Sequence, residues 1–250
     1  MRDIILEARE VTREFYGFTA VRAVNLQVRQ GTVHSLIGPN GAGKSTLFNL
    51  LTRFLALTSG RILYKGVDIG AWNPASVAQR GLVRSFQISS LFPKLSVHEN
   101  VRVALQKRRS LAHQFWRHER CLAQLDERAD ALLEEVGLLS HRGVRAVDLS
   151  YGRKRALELA TTLALEPEVI LLDEPMAGVG HEDIERVAAL VRRVAQGRTV
   201  LMVEHNLKVV ADLSDTITVL ARGQVLAEGS YAEVSANPEV RTAYMGSRHE

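Results

Sequence analysis

The stretch "GPNGAGKST", Gly38 to Thr46, limits what this chain can fold into more than any other. It has the G-x-x-x-x-G-K-[ST] spacing of a phosphate loop. It also has the flanks such a loop requires, an apolar strand-like run "VHSLIG" before it and a helix-like run "KSTLFNLLTRFL" after it. Gly41 and Gly43 allow the backbone to fold tightly enough to aim successive N–H groups at phosphate oxygens. Lys44 supplies a point charge for the terminal phosphates, and Ser45 supplies a hydroxyl ligand for Mg2+. The helix that begins there adds the positive end of its dipole. Strand, loop and helix in that order call for an α/β core with a nucleotide at the strand ends.

The rest of the chain fits that expectation. "IILEAREV", "AVNLQV" and "GRILYKGVDI" read as strands between turn residues, and from about Leu95 to Leu139 the pattern turns helical. Strand–helix alternation resumes in "EVILLDEP", "IERVAALVRRVAQG", "RTVLMVEHN" and "DTITVLARGQVLAEG". This is a parallel α/β core interrupted by a helical insertion. Within the insertion, "KRRSLAHQFWRHER" interleaves cations with Phe115 and Trp116, and it reads as a solvated or partner-facing helix face rather than a nucleic-acid site.

Composition narrows the setting. A net charge of +4 permits an acidic partner without requiring one. The lone cysteine, Cys121, excludes an internal disulfide and reads as a small core residue in a reducing compartment. No run approaches the ~18 apolar residues of a membrane span, and "MRDIILEARE" lacks the apolar core of a signal peptide. The expected location is cytoplasmic, with any membrane contact made through a partner.

"VILLDEP", Val169 to Pro175, is an apolar strand ending in two carboxylates. Downstream of a phosphate loop, Asp173 is placed to hold magnesium and Glu174 to polarise an attacking water. No N-K-x-D guanine motif is present, and a nucleotide kinase has no use for a base beside the magnesium acid. The pair therefore points to hydrolysis.

"DLSYGRKR", Asp148 to Arg155, poses a question of its own. It opens a helix-like segment with three cations, although the positive end of a helix dipole disfavours them. Either an anion arrives from outside, or the cations point into solvent.

Phosphate loop, "LSYG", "LLDEP" and "VEH", in that order, resemble an ATP-binding cassette ATPase over nearly the whole chain. The resemblance implies a P-loop α/β core with a mainly parallel sheet, an N-terminal antiparallel β subdomain and an inserted helical subdomain. The core would span 1–87 and 160–250, and the helical subdomain 88–159. ATP and Mg2+ follow as cofactors, with the loop residues Gly38, Asn40, Gly41, Ala42, Gly43, Lys44, Ser45 and Thr46 around the phosphates. The resemblance further assigns Gln87 to the loop that touches magnesium and His205 to the γ-phosphate. Phe15 is assigned to adenine stacking, with Tyr16 as the alternative one register away. Two cassettes would pack head to tail, so that Ser150 and Gly152 of one meet the ATP on Lys44 of the other. That ATP is then the external anion for the first-turn cations.

Two positions depart from the family pattern. Arg153 stands where the signature usually ends in Gln, and Gly180 where an Asp or Asn is usual after the catalytic Glu. "RSFQISSLFPKLSVHENV", "DEPMAGV", "VEHNL" and "VRTAYMG" most resemble the cytosolic ATPases of bacterial branched-chain amino acid importers. The implied partners are polytopic permease subunits, a second copy or sister ATPase, and a periplasmic binding protein. Nucleic acid is not among them. Lipid export is the alternative transport role, and a soluble cassette acting on nucleic acid or ribosomes is the more distant one.

Overall fold

A computed structural model describes residues 3–85, 91–108 and 119–245, with the side chains of 107–124, 181 and 245 left aside. Gln87 and most of the basic stretch from Lys107 to Arg120 lie outside the described residues, and Cys121 is described by its backbone alone.

The chain starts with a long antiparallel hairpin, β1 (Ile4–Phe15) and β2 (Phe18–Arg29). Its two-residue turn, Tyr16-Gly17, has φ of 47° and 86°, the doubly left-handed geometry that matches strand twist in tight hairpins. β4 (Ser59–Tyr64) and β5 (Val67–Asp68) complete a four-stranded sheet in the order β2-β1-β4-β5. The second sheet contains β3 (Val33–Ile37), β6 (Leu82–Ser85), β7 (Val169–Asp173), β8 (Thr199–Val203), β9 (Thr216–Ala221) and β10 (Gln224–Gly229). Its order is β10-β9-β3-β8-β7-β6, parallel throughout except for β10 against β9.

β7 and β8 are buried along their full length, and their two faces serve different cores. Ile170, Leu172, Val200 and Met202 pack toward the helices, whereas Val169, Leu171, Leu201 and Val203 pack toward α1 (Lys44–Leu51) and the antiparallel sheet. The period of two is present, yet an apolar layer on both faces hides it as a continuous apolar run. The helical side holds α3 (Val97–Arg108), α4 (Glu119–Glu135), α5 (Tyr151–Leu163) and α6 (His181–Val194). α2 (Pro74–Gln79) leads into β6, α7 (Leu207–Leu213) follows β8, and α8 (Tyr231–Ala236) and α9 (Pro238–Met245) close the chain.

Local chemistry sets most helix starts. Ser96 and Glu99 exchange hydrogen bonds of 2.7 and 3.1 Å ahead of α3, and Ser230 with Glu233 forms a second reciprocal cap at α8. α6 carries Glu182 and Asp183 in its first turn and Arg192 and Arg193 in its last, in step with its dipole. α1 stops earlier than its apolar spacing suggests. Arg53 turns left-handed at φ 62°, and the Thr52 hydroxyl donates back to the Phe48 carbonyl at 2.7 Å.

Candidate functional site

Three neighbouring parallel strands, β3, β8 and β7, deliver the predicted polar residues to one edge of the sheet. The phosphate loop follows β3, Asp173 ends β7, and His205 lies two residues beyond β8. The carboxyl edge of an open parallel sheet is where such folds bind ligands.

Two glycines shape the loop by their neighbours. A Cβ on Gly38 would lie 2.1 Å from the Leu220 carbonyl oxygen, and one on Gly43 2.5 Å from that of Ala20. The loop is therefore wedged between β9 and β2. Lys44 is buried, its Nζ donating to the carbonyls of Gly38 at 2.7 Å and Pro39 at 2.9 Å. Burial lowers its pKa, against the upward pull of the nearby Glu174 and Asp173 carboxylates. Ser45 and Asn40 are exposed at the loop surface, Thr46 is half-buried and Ala42 is buried.

Asp173 is buried and shares its Oδ2 with the Arg84 guanidinium, which also donates to Asn49 Oδ1 at 2.5 Å. Its Oδ1 is buried with no hydrogen-bond partner among the described residues. An oxygen of that kind fits a bound cation, because a buried acceptor left unmet costs about 1–3 kcal/mol. Glu174 adopts φ 47°, an uncommon conformation for a side chain of its size. Its amide donates to the Val203 carbonyl at 2.9 Å, and its Oε1 lies 2.8 Å from His205 Nε2. A carboxylate only accepts, so the imidazole holds its proton on Nε2 and donates it.

Glu204 escaped the sequence reading. It is 3% exposed and accepts three backbone N–H groups, from Met176 at 2.9 Å, His205 at 2.9 Å and Asn206 at 3.0 Å. It ties the segment carrying His205 to the loop after Glu174. An acidic residue directly after the apolar run 200–203 was the available signal. Arg84, directly behind the apolar pair Leu82-Val83, was missed as well.

Ser150 and Gly152 stand apart from this cluster, at the start of α5. Among the described residues, no hydrogen bond joins either to the phosphate loop. For one of the three α5 cations, Arg155, the structure gives a third answer beyond the two expected. Arg155 pairs with Glu158 inside the helix at 2.8 Å, with both side chains largely buried. Burial raises the Glu158 pKa, against the lowering effect of Arg155. An external anion is therefore not needed to balance Arg155. Gly180 is the N-cap of α6 with no side-chain bond to offer. Phe15 is half-buried with the Arg13 guanidinium 4.5 Å above its ring, whereas Tyr16 is fully exposed at the turn.

The sequence pattern of the ABC transporter family matches residues 21–177, and that of the branched-chain amino acid ATP-binding cassette transporters matches 224–250. The high-affinity branched-chain amino acid transport ATP-binding protein BraF of Pseudomonas aeruginosa is 37% identical, over 97% of this chain and 98% of its own. LivG of Escherichia coli K12, of the same description, is 36% identical over 98% and 99%. A crystal structure of an ABC transporter's ATP-binding cassette in its ADP conformation superposes with a TM-score of 0.85 at 30% identity, covering 98% of this chain and 99% of that one. A dimeric bacterial ABC transporter cassette matches with a TM-score of 0.76 at 25% identity, covering 90% and 98%. The chain belongs to the ATP-binding cassette family of ABC transporters, and it is a nucleotide-binding transport ATPase.

Proposed function

We propose that this chain powers a bacterial membrane importer for branched-chain amino acids or a related small solute. The observation that carries hydrolysis is the 2.8 Å contact between His205 and Glu174 at the strand edge that also holds Lys44 and Asp173. The match of residues 224–250, together with the descriptions of the full-length relatives, supports the solute class.

Each residue then has a physical task. Backbone N–H groups from Gly38 to Thr46 and the Lys44 ammonium bind the phosphates, and Phe15 stacks on the adenine. Ser45, Asp173 and Gln87 would hold Mg2+, and the buried, unpartnered Oδ1 of Asp173 supports that role. When bound, the ion supplies charge neutralisation at the β- and γ-phosphates. Glu174 accepts the proton of the attacking water, and His205 orients Glu174 and reaches the γ-phosphate. Ser150 and Gly152 serve the nucleotide of a second cassette, either another copy or a sister ATPase. The solved dimer of a related cassette supports that arrangement.

Residues 1–87 and 160–250 act as the nucleotide-binding core and 88–159 as the helical subdomain. Between them lies a groove of about 520 Å³, walled by Phe54, Ala78, Arg84, Phe92, Val103 and Glu158. Polytopic permease subunits dock there and hold the chain at the inner face of the membrane, and a periplasmic binding protein delivers the solute. Among the described residues no helix is long and apolar enough to cross a membrane.

The test is the oligomeric state of Glu174→Gln with and without Mg-ATP, beside wild-type hydrolysis. Dimers only with ATP, and loss of both binding and hydrolysis in Lys44→Ala, are expected. A Glu174→Gln variant that hydrolyses ATP at the wild-type rate would overturn the catalytic assignment. Solute uptake by proteoliposomes holding the permease subunits decides the substrate.

A further inference from the structure

Tyr151, the second residue of the "SYG" turn, reaches across to the loop that follows Glu174. Its hydroxyl donates to the Ala177 carbonyl at 2.7 Å and accepts from Arg155 Nη2 at 2.8 Å. Arg155 in turn donates through Nη1 to Glu158 at 2.8 Å, and its guanidinium lies 5.2 Å from the Tyr151 ring centroid. The contact has no slack: a Cβ on Gly178 would sit 3.0 Å from the Tyr151 hydroxyl oxygen, at a backbone φ of 73°. On its other flank the same loop is held by Glu204 through the Met176 amide. Two donors thus run in series, Arg155 to the Tyr151 hydroxyl and that hydroxyl to the Ala177 carbonyl, and a cation at the head of such a chain strengthens the bond after it.

Resting on the function proposed above, we infer that Tyr151 is a positioning residue that locks the signature turn and the 177–180 loop into one surface, the surface presented to the second cassette. Ser150 and Gly152 sit on one side of that lock, and Glu174 sits three residues before Ala177 on the other. A signature turn that shifts on meeting the partner's nucleotide carries the loop behind Glu174 with it. Arg155 supports the lock by orienting the hydroxyl, and Glu158 neutralises Arg155 so that the charge stays buried.

Tyr151→Phe keeps the ring and deletes the two hydrogen bonds. The first readout is hydrogen exchange in the nucleotide-free chain. The amides of 177–180 and of 150–153 should both exchange at least about fivefold faster, while those near Val203 stay unchanged. The second readout is kinetic. kcat should fall about tenfold, while binding of a fluorescent ATP analogue to dilute, monomeric protein stays within twofold. The third is ATP-driven pairing in the Glu174→Gln background, where Tyr151→Phe should raise the Mg-ATP needed for half-dimerisation about tenfold. Unchanged exchange at 177–180 would overturn the lock, and faster exchange with unaltered kcat would overturn its positioning role. If Glu174→Gln alone binds ATP without pairing, self-pairing falls instead, and exchange with kcat still decides the role of Tyr151.

Discussion

Glu204→Gln tests whether the buried clamp behind the candidate site works as its geometry says. The carboxylate meets three N–H donors, with Met176 on Oε1 and both His205 and Asn206 on Oε2. Glutamine keeps an oxygen for only one side. With that oxygen on the His205 and Asn206 side, its NH2 group faces the Met176 N–H, donor against donor. One bond to a charged acceptor is lost, worth about 1.5–3 kcal/mol, and a buried donor left unmet adds about 1–2 kcal/mol. The expected cost is about 3–4 kcal/mol, which in a chain of this length lowers Tm by roughly 6–16 °C. Freed from Met176, the loop carrying Glu174 loses its fixed position relative to His205, so kcat should drop about tenfold, equivalent to about 1.4 kcal/mol of transition-state stabilisation. Urea unfolding and steady-state phosphate release measure the two effects separately. A variant within about 0.5 kcal/mol of wild type, at the level of an ordinary surface change, would refute the clamp. Lost stability with kcat intact would leave Glu204 a structural residue only.

Buried His34, whose Nε2 lies 2.7 Å from the Thr218 hydroxyl, has its pKa lowered to about 4 by burial. The unfolded chain protonates this residue near pH 6.5, so between about 6.5 and 4 it binds more protons than the folded one. Stability is then full above pH 6.5 and falls by about 3 kcal/mol on the way to pH 4. Urea unfolding across that range should give a steeper pH slope for wild type than for His34→Gln, and equal slopes would refute the assignment. Arg155→Met strands the buried Glu158 and should cost about 3 kcal/mol, while adding Glu158→Leu should restore most of it. Additive losses in thermal melts of the three variants would remove the pair from the core. Gly180 has an ordinary φ of −62° and open space where a Cβ would go, so Gly180→Asn should cap α6 and raise stability by a few tenths of a kcal/mol. A lower Tm would contradict that.

What could be read along the chain was whatever the chain encodes at short range. The phosphate loop spans nine residues, and its own tight turn puts Gly38, Gly41 and Gly43 at positive φ. β7 announces itself because five consecutive apolar-to-acidic residues, Val169 to Asp173, are all buried. The closing helices α8 and α9 went unread, although Ser230 and Glu233 form a reciprocal cap at the expected spacing. Their apolar anchors, Val234 and Val240, pack on Ile37 and Val219, residues remote in sequence.

Several of the parts that were not legible share one cause: they depend on partners far apart in sequence. Arg84 meets Asp173 across 89 positions, Glu204 reaches back 28 to Met176, and Tyr151 forward 26 to Ala177. Read alone, each is an unremarkable charge or aromatic. Arg155 of "GRKR" shows a second cause, a local rule applied without its neighbour. The dipole argument is sound for a bare helix, but Arg155 meets Glu158 three residues on, within the same helix and out of water. An ion pair buried on the same helix outweighs a terminal dipole effect of about 0.3–1 kcal/mol, because leaving either charge unpaired there costs several times more. The helix start tolerates Arg155 for that internal reason, which leaves its exposed Ser150 available to a second cassette without Arg155 requiring one.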